Sequence, residues 1–133
     1  MAVAESSSAH LSTDSRAIAN SSWTFYLKMD FNPSSSNLAR VYLVSDQQTL
    51  AGNLNGYYIQ LGGTDDEVSL YRQTGSTRTK IIDGRNGVLN LSAPEMIVHA
   101  TRDETGKWEL FSDVGITGNF EKEGEVTDVM HTA

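Results

Sequence analysis

An all-β fold, built as an antiparallel two-sheet sandwich, is what this sequence predicts, and three observations predict it. The stretch Trp23 to Phe31 alternates strictly, with Trp23, Phe25, Leu27, Met29 and Phe31 on one side and Thr24, Tyr26, Lys28 and Asp30 on the other; that is the period of a half-buried strand. Large apolar side chains in one unbroken row need a second layer to cover them. Turn residues recur roughly every eight to twelve positions, giving about seven or eight short strands, and no segment sustains an amphipathic helical period.

In order along the chain, residues 1–9 read as a leader or flexible tail and 10–133 as one domain. A short edge strand is expected around His10 to Thr13, with Leu11 and Ile18 the only sizeable apolar anchors before Trp23. After the Trp23 strand, the run from Asn32 to Asn37 reverses the chain, because proline cannot donate to a ladder and short polar side chains stabilise turns. Leu38 to Ser45 is almost continuously apolar and predicts a central strand facing protein on both sides. Gly56 to Leu61 is the next strand, and Gly62 to Asp66 turns the chain again. Glu67 to Gln73 alternates Val68, Leu70 and Arg72 against Ser69, Tyr71 and Gln73, which predicts one dry face and one wet face. With a return strand over Thr79 to Asp83 it forms a hairpin.

Gly84 to Pro94 is the longest irregular stretch, where only Val88, Leu89 and Leu91 can pack. Met96 to Arg102 and Lys107 to Ser112 form a second hairpin about the turn Asp103 to Gly106, and Trp108 and Leu110 share its inward face. Asp113 to Glu125 reads as turns and a solvated charge run, with Glu121, Glu123 and Glu125 spaced to share one face if extended. One weak strand candidate lies within Val126 to Ala133.

Composition narrows the function. At 133 residues the chain suits one domain with one core. Ten basic residues against 17 acidic ones give a formal charge of −7, which repels a phosphate backbone, so nucleic acid is not an expected partner. Arg72, Arg78 and Lys80 are the nearest thing to a basic cluster, and they lack an aromatic platform. The absence of cysteine excludes disulfides and thiolate metal sites. No apolar run reaches the roughly 20 residues of a membrane span. His10, His99 and His131 show no metal-ligand spacing, and no serine-nucleophile motif is present.

Four stretches, WTFYLKMDFNPSSSNLARVYLVSD, NGYYIQLGG, SLYRQTG and VHATRDETGKWELFSD, together resemble the concanavalin A-like, laminin-G-like jelly-roll modules of large exported bacterial proteins. The resemblance covers about residues 10 to 128. It implies two curved antiparallel sheets and an extracellular or cell-surface location. No equivalent of the group's closing strand is evident after Asp128, which would leave an open edge through which a second copy could pair. Glucanases of this fold use paired carboxylates; no Glu-x-Asp-x-x-Glu arrangement occurs, so no enzymatic activity is expected. Calcium is the one cofactor the resemblance leaves room for, with Asp65 and Asp66 as ligands.

Sugar recognition needs an aromatic face and nearby polar groups. Tyr58 with Gln60, and Tyr71 with Arg72, are the expected ligand-binding residues; Gln73 beside Tyr71, and the pair Tyr26 with Lys28, are further candidates of the same kind. The leading expectation is therefore a non-catalytic module that binds polysaccharide or a cell-surface protein. A structural or adhesion spacer without a small ligand is the alternative, and a glycoside hydrolase ranks third.

Overall fold

The structure, a computed structural model, describes residues 20–34, 37–47, 50 and 52–131. The expected leader and the strand at His10 to Thr13 lie outside the described residues. Among the described residues eight strands follow one another: β1 (Ser21–Lys28), β2 (Ala39–Ser45), β3 (Leu54–Gly62), β4 (Glu67–Gly75), β5 (Thr77–Ile82), β6 (Glu95–Arg102), β7 (Lys107–Val114) and β8 (Glu121–Thr127). They form two antiparallel four-stranded sheets, β1-β6-β7-β8 and β2-β3-β4-β5. Among the described residues there is no helix, and so none long and apolar enough to cross a membrane. The architecture is a β-sandwich.

Alternation built the core as expected. Met96, Val98 and Ala100 of β6, with Trp108 and Leu110 of β7, pack against Val41, Tyr57, Ile59, Leu61, Val68, Leu70 and Ile82 of the facing sheet. Burying each large apolar side chain here contributes about 1.5–3 kcal/mol. Trp23 of β1 stacks on Trp108 with ring centroids 5.3 Å apart and planes inclined by 18°. The two hairpins are present, and the Asp103 turn is closed by the Gly106 amide donating to the Asp103 carbonyl at 3.2 Å.

Four expectations are corrected. β1 ends at Lys28, so Met29 is buried beyond the strand while Phe31 is exposed instead of facing the core. Among the described residues β2 is an edge strand and not a central one. Its apolar run has another cause: Val41 enters the main core, whereas Tyr42 on the opposite face joins a second cluster with Leu50, Leu54 and Tyr58. The supposed wet face of β4 is largely dry. Gln73 is buried there, accepting from the Tyr42 hydroxyl at 2.8 Å and donating to the carbonyls of Gly52 and Gly75 at 3.1 and 2.9 Å.

The fourth correction concerns the charge run, which is strand β8. A register shift opposite Leu110 and Phe111 pairs Gly124 and Lys122 with them and leaves Glu123 between. Glu123 turns inward while Glu121 and Glu125 stay exposed, as a β-bulge allows. Its carboxylate accepts from Arg85 Nε, Nη2 and backbone N at 3.1, 2.8 and 3.0 Å, and from the Ser112 hydroxyl.

Candidate functional site

The β3–β4 hairpin makes a pocket on the outer face of its sheet. Gly62 and Gly63 have φ of +101° and +97°, a left-handed conformation that glycine adopts without steric penalty. Space demands glycine as well: a Cβ on Gly62 would lie 2.8 Å from the Pro33 Cβ, and one on Gly63 would lie 3.1 Å from Gln60 Nε2. The turn is held from both sides. The Gly63 amide donates to the Ser34 carbonyl at 3.2 Å, and the amides of Gly87 and Leu89 donate to the carbonyls of Asp65 and Asp66 at 2.8 and 3.0 Å.

The pocket measures about 260 Å³. β3 supplies Gln60, β4 supplies Glu67 and Tyr71, and β5 supplies Lys80, while residues 62–65 of the turn and Leu38 complete the lining. Strand geometry explains the grouping. Glu67 and Tyr71 sit at even spacing on one face of β4, and Tyr71 is registered against Tyr58 on one side and Lys80 on the other.

Glu67 is the unusual member. Only 2% of it is exposed, far from the open-turn carboxylate that its position after Asp65 and Asp66 suggests. Its Oε1 accepts from the Ser69 hydroxyl at 2.7 Å and pairs with the Lys80 ammonium, whereas its Oε2 is buried without a hydrogen-bond partner among the described residues. Buried polar atoms are nearly always partnered. Lys80 also reaches Asp83 Oδ1 at 3.3 Å, and its pKa is raised above the ordinary lysine value, chiefly by the hydrogen bond to Glu67. Gln60 Oε1 accepts from Arg40 Nε at 3.2 Å, which leaves the Gln60 amide nitrogen to donate elsewhere.

The expected ligand-binding residues divide. Gln60 and Tyr71 both line the pocket. Tyr58 is 0% exposed: its ring stacks on Tyr71 at 5.1 Å and lies 4.8 Å from that of Tyr42, and the guanidiniums of Arg40 and Arg78 stand 5.7 and 5.8 Å from its centroid. It supports Tyr71 from inside and presents no face to a ligand. Arg72 points to the opposite side of β4, where it pairs with Asp128. Of the two expected calcium ligands, Asp65 lines the pocket and Asp66 does not. Among the described residues no three or more His, Asp or Glu side chains gather as a metal site.

Sequence reasoning passed over Glu67, Lys80, Thr64 and Leu38. Glu67 and Lys80 carried a usable signal, since Glu67, Ser69 and Tyr71 share one face and Lys80 lies across the next hairpin from Tyr71. Leu38 carried none; it reaches the pocket through tertiary packing near Gly62. In comparisons with known proteins, no protein-family model, no curated protein and no solved structure matches this chain.

Proposed function

We propose that this protein is a non-catalytic binding module of the concanavalin A-like jelly-roll kind, carried by an exported protein, and that it takes a sugar unit of a polysaccharide in the pocket beside the β3–β4 turn. The observation that carries the reading is a pocket lined by the Gln60 amide, the Tyr71 ring and the buried Glu67 carboxylate, whose inner oxygen has no partner among the described residues. Those groups match what a sugar requires: acceptors and donors for its hydroxyls, and apolar surface, here from Tyr71 and Leu38, for its C–H faces. The volume of about 260 Å³ lies below the roughly 300–1,000 Å³ of drug-sized sites and suits a single ring. The jelly-roll assignment draws support from β1, which pairs with β6 across the whole of the other sheet's sequence.

A polysaccharide and glycan binding screen on the folded domain tests the proposal. Retention on at least one polysaccharide is expected, with Gln60→Ala and Tyr71→Ala each weakening it about tenfold. Tyr26→Ala serves as the control, because Tyr26 is exposed on the other sheet. Folded protein that binds no glycan, or binding indifferent to both pocket substitutions, would overturn the reading.

A spacer or adhesion domain is the second reading. Phe120 stands exposed with its ring 6.1 Å from that of His99, which also meets Phe111, and Tyr26 is exposed on β1 of the same sheet; exposed apolar surface of this kind is what protein contacts use.

A further inference from the structure

Resting on the carbohydrate reading above, we infer that the pocket selects a neutral sugar ring through two adjacent hydroxyls, one donating to Glu67 Oε2 and its neighbour accepting from Gln60 Nε2 or Lys80 Nζ. Glu67 is the starting point. A buried carboxylate oxygen with no donor is costly to maintain, and an occupant carrying an O–H supplies the missing bond.

Charge narrows the occupant further. Lys80 already holds Glu67 Oε1, so an ammonium group entering beside it meets a like charge at close range. Asp65 and Glu67 both line the pocket against the single Lys80, so a carboxylate group meets two of its own sign. A neutral hydroxyl meets neither obstacle. The donors for the second hydroxyl are also at hand. The Gln60 amide nitrogen is unused by Arg40, and Lys80 has three N–H bonds with contacts to Glu67 and Asp83. Adjacent hydroxyls, one giving and one receiving, match this pairing of acceptor and donor.

Oε2 is out of solvent's reach, so the ligand hydroxyl meets it after a side-chain shift. Lys80, 29% exposed on a flexible stem and paired with the neighbouring Oε1, has the freedom to move aside.

Calorimetric titration of the wild-type protein with methyl glucoside, methyl mannoside, methyl galactoside, glucuronate and glucosamine tests the inference. At least one neutral hexoside is expected to bind at least tenfold more tightly than glucuronate and glucosamine, with an affinity insensitive to added salt. Glu67→Gln is expected to weaken that hexoside about tenfold. Should Glu67→Gln fail to fold, the wild-type selectivity and Gln60→Ala still decide. Preference for glucuronate or glucosamine, or a folded Glu67→Gln protein that binds the hexoside unchanged, overturns the inference and leaves the carbohydrate reading standing. Folded protein that binds none of the five and no polysaccharide overturns both.

Discussion

Tyr57 and Tyr58 are neighbours in β3 and face opposite layers. Tyr57 enters the core, its ring 4.8 Å from that of Trp108 and its hydroxyl donating to Asp128 at 2.7 Å. Tyr58 lies under Arg40 and Arg78 with no partner for its hydroxyl among the described residues. Burial is the main cause that pushes both pKa values up to about 12. A folded value above the unfolded one of about 10 means that the stabilisation is complete below pH 10 and is lost as pH rises towards 12. A spectrophotometric titration is therefore expected to show Tyr57 and Tyr58 ionising only near pH 12, together with loss of the native circular dichroism. Complete tyrosine ionisation near pH 10 in a folded protein would contradict this. Trp108 was legible as a core residue because alternation alone decides its face. Tyr58 was not, because its burial depends on Tyr42, Leu50 and Tyr71 gathering with Leu54 around it on the outer face of the sheet, which no local pattern encodes.

Among the elements, bulges mark three of the four strands that lie at a sheet edge among the described residues. Register shifts occur in the β2–β3, β4–β5 and β7–β8 ladders, while β1 pairs with β6 without one from Ser21–Arg102 to Lys28–Glu95. The bulge in β2 depends on Gly56. A Cβ there would lie 2.0 Å from the Val44 carbonyl oxygen, and that oxygen is backbone that cannot rotate away. Gly56→Ala is expected to destabilise the fold by about 3 kcal/mol, read as a lowered urea midpoint with unchanged slope; a midpoint equal to wild type would show that the bulge adapts. Strands with an apolar face were legible from their period. β8 was hidden because charged residues fill most of it, and of its inward side chains Glu123 is itself a carboxylate while only Val126 is apolar.

At the scale of the molecule, two buried carboxylates tie its parts together. Asp128 accepts from Tyr57 and pairs with Arg72 of one sheet, while its carbonyl accepts from Arg102 of the other at 2.8 Å. Glu123 ties β8 to Arg85 and Ser112. Burial works against ionisation of both, but the surrounding donors outweigh it and hold both pKa values below the ordinary carboxylate range. Stability from such groups is present above their unfolded values of about 4 and is lost as pH falls through the folded values. The melting temperature is expected to hold from neutral pH to about pH 5 and to fall below about pH 4. Glu123→Gln with Asp128→Asn should cost about 1–2 kcal/mol each at pH 7 and flatten the acid slope, Arg85 being part-exposed and screened. An unchanged slope in the double variant would refute this.

The pairing of β1 with β6 also orders events in time. Chain synthesis runs from the amino end, so β1 is made first, and the partner of Lys28, Glu95, follows roughly seventy residues later. At about 5–20 residues per second, β1 waits on the order of several seconds for its ladder. Throughout that interval Trp23, Phe25 and Leu27 lack the strand that will hold them, while β2 to β5 can already pair with one another. The nascent chain thus passes through a stage in which its most aromatic strand is open to whatever meets it on leaving the ribosome.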